Sequence, residues 1–152
     1  MSAAEAEPGI VQLRDFRLED YYGVTGLWEE AGLAFRPLGR DTREKVAEEL
    51  RRGTAVFVVA ESDNRLVGVV LGTHDGRKGW INRLAVAPAF RRQGIAARLV
   101  AEVEKRLEAL GLEVVAALIE DGNESSMRFF GTLGYLQHAD IHYFSKMKTP
   151  DS

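Results

Sequence analysis

Leu84-Ala85-Val86-Ala87-Pro88-Ala89-Phe90-Arg91-Arg92-Gln93-Gly94-Ile95-Ala96-Ala97-Arg98-Leu99-Val100 is the stretch whose reading decides the fold. An apolar strand, Trp80 to Val86, runs into a turn marked by Pro88. The basic triplet Arg91-Arg92-Gln93 follows, then Gly94 and small residues open a long helical pattern. Strand, basic glycine turn and helix N-terminus together make an anion cradle. The first N–H groups of a helix lack intrahelical partners and carry partial positive charge, so a phosphate satisfies them. Gly94 has no Cβ, which lets a ligand approach the backbone. The cradle is not a Walker loop, because no Gly-Lys-Ser/Thr ending is present. Nor is it a dinucleotide fingerprint, because Gly94 stands without two companion glycines at the required spacing.

Outward from this stretch, the chain of 152 residues is one domain by length and long enough to bury a core. Hydrophobic residues make up 45% and charged residues 28%, which excludes a disordered or fibrous class. The formal net charge of −3 gives no global field toward nucleic acid or an anionic membrane. With no cysteine, the chain has no disulfide, no thiolate zinc site and no cysteine acyl-enzyme. Met1 to Pro8 lack a basic then apolar leader, and no apolar run approaches the ~20 residues of a membrane span. A cytoplasmic protein with no membrane and no nucleic-acid partner is the expectation. Residues 1–8 are expected to be irregular, 9–148 to form the domain and 149–152 a tail.

Within the domain, Ile10 to Phe16 alternates as a half-buried strand. Asp20 precedes a helical pattern through Val24, Leu27 and Trp28 that ends at Gly32. Asp41 or Thr42 reads as the N-cap of a second helix that carries Val46 and Leu50 and closes at Gly53. Ala55 to Ala60 and Leu66 to Thr73 read as strands, and Asp75-Gly76 as the hairpin turn into Trp80–Val86. The helix from about Gln93 to Leu110 places Leu99, Val103, Leu107 and Leu110 on one stripe. Val114 to Ile119 reads as a buried strand, Asn123 opens a last helix, and Tyr135 to Met147 reads as one or two final strands. The order β-α-α-β-β-β-α-β-α-β predicts an α/β protein whose mixed central sheet is partly antiparallel and partly parallel, with flanking helices.

Arg91-x-x-Gly94-x-Ala96, placed directly after its strand, closely resembles the acetyl-CoA signature Q/R-x-x-G-x-G/A of the GNAT superfamily of N-acetyltransferases. A second GNAT signature, an Asn opening the last helix, an aromatic pair and a Gly-aromatic ending, is matched by Asn123, Phe129-Phe130 and Gly134-Tyr135. Gly39-Arg40-Asp41 and Asp75-Gly76-Arg77 look like a subgroup of small bacterial acetyltransferases, and the ribosomal-protein alanine acetyltransferases are similar more distantly. The resemblance covers nearly the whole chain.

It implies an N-acetyltransferase that moves acetyl from acetyl-CoA to a primary amine by direct attack in a ternary complex. The acceptor is a small amine, an amino-acid derivative or a protein N-terminus. The alternative is an acyl-CoA-binding or regulatory module with little turnover. The resemblance further implies that strands 4 and 5 splay, with backbone groups of Leu84, Ala85 and Val86 pairing the pantetheine. Amides from Arg92 through Gln93, Gly94, Ile95 and Ala96 to Ala97 would hold the pyrophosphate, supported by Arg91 or Arg92. Asn123 would bond the pantetheine, and Ser126 and Phe130 would line it. For asparagine a plain N-cap is the competing role.

The chemistry departs from the family. The position of its usual tyrosine acid is Phe130, and the position of the glutamate base is Leu118. Either water protonates the leaving thiolate and positioning carries the rate, or the roles have moved. The replacements considered are Glu120, two residues from Leu118 and so on the same strand face, and Asn82 as a carbonyl or water contact. Tyr135 reads as a core aromatic with a wet hydroxyl. Glu29 or Glu30 would face a cationic amine. His74 reads as a turn residue, and His138 and His142 lack the companions a metal site needs, so no metal is expected. The chain is expected to be a monomer or a homodimer, in which an exposed final strand pairs between subunits.

Overall fold

A computed structural model describes residues 9–152; the expected irregular N-terminus, 1–8, lies outside the described residues. The chain forms β1 (Gln12–Asp15), α1 (Tyr21–Glu30), α2 (Arg43–Arg52), β2 (Ala55–Ser62), β3 (Arg65–His74) and β4 (Gly79–Val86). It continues through α3 (Ile95–Ala109), β5 (Val115–Ala117) and α4 (Glu124–Thr132). Single 3-10 turns occupy Leu18–Asp20 and Pro88–Phe90. One sheet runs in the order β1-β2-β3-β4-β5, antiparallel until the parallel pair β4–β5.

The near-continuous apolar run of β2 follows from having helices on both faces of the sheet. Val56, Val58 and Ala60 join Leu99, Val103 and Leu107 of α3 in one core layer. Phe57 and Val59 join Val24, Leu27, Trp28 and Val46 of α1 and α2 in the other. Phe16 stacks on Phe57 with centroids 4.0 Å apart. Close contact between α3 and the sheet requires glycine: a Cβ on Gly72 would stand 2.9 Å from Val103 Cγ1. Helix α2 begins at Thr42, whose hydroxyl accepts from the Lys45 N–H at 3.2 Å. Asp41, the other N-cap expected from sequence, is buried elsewhere.

Three expectations are corrected. The chain from Tyr135 to Met147 forms no strand, because it pairs with no neighbouring strand and its side chains from Leu136 onward face water. β5 is three residues long rather than six, because β4 offers it partners only at Gly79, Trp80 and Ile81. Helix α3 starts at Ile95, two residues late, because Gly94 sits at φ 78° as its N-cap.

β1 is pinned to the start of α1 by charge. The Arg14 guanidinium grips Asp20 through two nitrogens, at 2.8 and 2.9 Å, and reaches Glu61 at 2.9 Å. The hydrogen bond from Arg14 is the main reason the Asp20 carboxyl titrates below the ordinary carboxylate range. A depressed folded value gives stability that is whole above the unfolded pKa, about 3.9, and is lost as pH falls through the folded value. Asp20→Asn is expected to cost roughly 1–2 kcal/mol at neutral pH. It should also flatten the acid limb below about pH 4, as urea denaturation across a pH series reads.

Candidate functional site

The site begins with a bulge. Leu71 faces Arg83 across the β3–β4 ladder and Gly72 faces Ile81, so Asn82 is an extra residue on β4. It changes which layer each side chain meets. Ile81 packs toward α3, yet Arg83, two residues on, lies against Trp28 of the α1 layer. Beyond the bulge, the Ala87 N–H donates to the Val67 carbonyl at 2.8 Å. Bonded pairs alternate along an antiparallel ladder, so Ala85 bonds Val69 while Leu84 and Val86 turn their polar groups away from β3. On that far side β5 has ended, since its last pair is Ile81–Ala117.

Leu84 and Val86 therefore present a backbone edge with no strand partner, on which the Val86 carbonyl accepts from Arg91 Nε at 3.2 Å. Ala85, expected to share this edge, does not. Its backbone belongs to β3 and its side chain is buried in the α1 layer.

The edge leads into a cavity of about 350 Å³. Val86 borders it on the strand side, and Arg91, Arg92, Gly94, Ile95, Ala96 and Ala97 on the turn and helix side. The helix end here is bare. Arg98 N–H is the first to bond within α3, to the Gly94 carbonyl at 3.1 Å, and no side chain caps the turn. Arg92 at φ 65° and Gly94 at φ 78° both wind through the left-handed region, which costs an arginine more than a glycine. Arg91, Arg92 and Gln93 are exposed, and Gln93 does not border the cavity. Phe90 and Phe129 close it, and the sequence reading passed over both. The Phe129-Phe130 pair held the signal. Neighbours on a helix point about 100° apart, so one ring faces the core and the other the ligand space.

That division corrects Phe130. It is buried, with ring centroids 5.2 Å from Phe129 and 5.1 Å from Tyr135, and it borders the core rather than the cavity. Phe130→Tyr is expected to bury a new hydroxyl and lower stability by about 1–3 kcal/mol without raising turnover. Chemical denaturation and a rate measurement on the same sample read both effects. Asn123 caps α4, its Oδ1 accepting from the Ser126 N–H at 3.3 Å; neither residue borders the cavity.

The proposed replacements for the missing acid and base stand apart. Asn82 is exposed and donates through Nδ2 to Thr73 Oγ1 at 2.8 Å, which leaves its carbonyl oxygen open. β5 ends at Ala117, so Leu118 and Glu120 do not share a strand face as expected. Leu118 is exposed, and the Glu120 carbonyl accepts from Asn123 N–H in a turn. Tyr135 donates its hydroxyl to Glu104 Oε2 at 2.8 Å; burial and that carboxylate hold the phenol protonated well above its usual range. His74 Nδ1 accepts from the Gly76 N–H in the hairpin turn. Glu30 borders a second cavity, of about 360 Å³ between α1 and the start of β3, and Glu29 does not. Among the described residues no group of His, Asp or Glu could hold a metal ion.

A further cluster beside the bulge was not anticipated. Arg83 makes two bonds of 2.8 Å to the two carboxylate oxygens of Asp41, with its guanidinium 4.7 Å from the Trp28 ring. Arg83 Nε also donates to the Ala34 carbonyl at 3.3 Å, and the Arg36 N–H donates to Asp41 Oδ2 at 2.5 Å. The Tyr21 hydroxyl donates to the Asp41 carbonyl at 2.5 Å. The α1–α2 connection is thus stitched onto β4 next to Asn82. A charged residue in the middle of a mostly apolar strand was the available signal.

Residues 12–135 match the family model described as the acetyltransferase (GNAT) family. The fold is similar to that of PaiA N-acetyltransferase from Thermoplasma acidophilum in complex with coenzyme A. The TM-score is 0.72 at 19% identity, over 82% of this chain and 88% of that one. An aminoglycoside acetyltransferase from an uncultured soil metagenomic sample gives a TM-score of 0.75 at 18% identity, over 91% and 97% of the two chains. Ard1 from Thermoplasma volcanium gives 0.74 at 19% identity, over 85% and 84%.

Proposed function

The chain belongs to the GNAT family of acetyltransferases, and from that premise we propose that it moves the acetyl group of acetyl-CoA to the nitrogen of a primary amine. The observation that carries the reading is the continuity of two donor sets. The free edge of β4, which runs through Leu84 to Val86, reaches at Val86 the same cavity as the bare N-terminus of α3. A pantetheine arm carries amides that pair with a strand edge, and a diphosphate takes helix N–H groups. Leu84 and Val86 hold the arm, and the N–H groups of Gly94 to Ala97 hold the diphosphate with Arg91 and Arg92 as charge support. Phe129 lies along the coenzyme.

The transfer is direct. The amine nitrogen attacks the thioester carbonyl, the new C–N bond forms as C–S breaks, and the nitrogen's proton ends on the sulfur by way of water. The absence of cysteine fits a route without a thioester acyl-enzyme. The open carbonyl oxygen of Asn82 lies on the bulge, where it can take a hydrogen from the incoming amine or its water. Rate then comes from holding nucleophile and carbonyl together rather than from a strong acid. Neither Phe130 nor Leu118 can exchange a proton, which fits that balance.

Calorimetry with acetyl-CoA followed by thiol release across a panel of amines, amino-acid derivatives and peptides tests the proposal. Uptake of the coenzyme with thiol release for one class of acceptor is the expected result. Uptake without release from any amine would instead make the chain a coenzyme-binding module.

A further inference from the structure

We propose that the second cavity, between α1 and the start of β3, binds a small zwitterion with an apolar body, a free amino acid or a dipeptide, and that the bound ligand weakens the hold on the coenzyme. The cavity has a volume of about 360 Å³, within the size range of small-molecule sites. Its wall on α1 comes from one helix face, Tyr22, Gly23, Gly26, Leu27 and Glu30. Two glycines shape it. A Cβ on Gly23 would stand 2.9 Å from Leu66 Cδ1, so the helix closes down on Leu66 there. A Cβ on Gly26 would meet nothing within 4 Å, so the missing side chain leaves the space open. Leu27 and Ala87, both buried, form an apolar floor with Leu66.

Charge sets the class of ligand. Glu30 and Arg65 are the charged residues on the wall, both are exposed, and neither forms an ion pair among the described residues. Glu30 is also the last residue of α1, where the carbonyl end of the helix favours a cation. Arg65 presents a planar fork suited to a carboxylate. A zwitterion answers both charges and lays its body on the floor, whereas a plain anion or cation leaves one charge unanswered. Asn82 lies five residues before Ala87, roughly 16 Å of extended chain, so a nitrogen bound here is out of reach of the thioester. The two cavities share one turn. Ala87 borders this cavity and Phe90 the coenzyme's, and the Arg65 guanidinium stands over the Phe90 ring, 5.9 Å from its centroid. The charge of Arg65 is thus one ring away from the diphosphate, and a carboxylate bound to it cancels that attraction. The coupling rests on the coenzyme reading above; the binding does not.

Calorimetry on the full chain without coenzyme keeps the two readings separate, with L-leucine and the dipeptide leucyl-leucine as probes. Uptake of either with a dissociation constant below about 1 mM is expected, and the tighter of the two identifies the source. N-acetyl-leucine and leucinamide, each lacking one charge, should bind at least about tenfold more weakly. Gly26→Leu should fill the cavity and remove uptake; leucine is the better helix former, so the fold is kept, as urea denaturation verifies. Arg65→Gln, at an exposed position, should weaken uptake at least about tenfold. The tighter zwitterion at saturation should raise the acetyl-CoA dissociation constant about twofold to fivefold, and in Gly26→Leu not at all. No uptake of either zwitterion overturns the proposal. So does uptake that survives Gly26→Leu, or that N-acetyl-leucine and leucinamide match. An acetyl-CoA affinity indifferent to the saturating zwitterion overturns the coupling.

Discussion

Ala96→Asp is expected to raise the dissociation constant for acetyl-CoA by at least about 100-fold, or about 2.7 kcal/mol, while the protein stays folded. Ala96 is the second residue of α3 and borders the cavity at the bare helix end. A carboxylate there meets the two requirements with opposite sign. In the first turn of a helix it is favourable, by about 0.3–1 kcal/mol, because it faces the positive end of the dipole. For a diphosphate it is a like charge competing for the same N–H groups. Stability by urea denaturation should therefore hold or rise slightly as calorimetric affinity collapses. Ala101→Asp, on an exposed position of the same helix, is the control for net charge and should leave affinity near its original value. Unchanged affinity in Ala96→Asp would place the diphosphate elsewhere.

Arg83→Met is expected to destabilise the fold by about 3–5 kcal/mol, the cost of leaving one member of a buried ion pair alone. The Arg83 and Asp41 side chains are 9 and 6% exposed, so water cannot take over the vacated bonds. The loss is more than Coulombic. Arg83 also ties down the Ala34 carbonyl and lies against Trp28, so the α1–α2 connection would lose its fastening to β4. Asp41→Leu combined with Arg83→Met should recover much of the loss, because removing both charges removes the unpaired one. Arg83→Lys should recover little, since an ammonium cannot span both carboxylate oxygens. Thermal and chemical denaturation of the variants reads the series. If Arg83→Met cost under about 1 kcal/mol, the pair would be behaving like an exposed surface bridge.

What the sequence disclosed depended on how local each signal was. The run Ala55–Ala60, the Asp75-Gly76 turn and the stripe Leu99, Val103, Leu107 each lie within one element and each named its element correctly, but Leu110, expected on the same stripe, is the C-cap of α3 and exposed. The cradle was also local, since the strand, the glycine and the helix start are contiguous. Asp41 and Arg83 lie 42 residues apart, and nothing in either neighbourhood names the other. The resemblance placed all of Leu84, Ala85 and Val86 on one edge, whereas backbone bonding alternates along the ladder and gives Ala85 to β3. At the C-terminus the failure was of another kind. Ile141 to Met147 has the alternation of a strand, but alternation describes a side-chain pattern, whereas a strand exists only where a neighbour completes its ladder.

The extra residue at Asn82 divides β4 into two halves whose inside and outside are set separately. Upstream, the phase of the strand follows the hairpin; downstream, it follows the helix that begins at Ile95. The hairpin tip is thereby insulated from the ligand end. Lengthening it by a residue pair would carry the change outward and leave Leu84 and Val86 aimed as before. A single residue gained or lost between Asn82 and Val86 would turn Ala85 outward and close off the free edge.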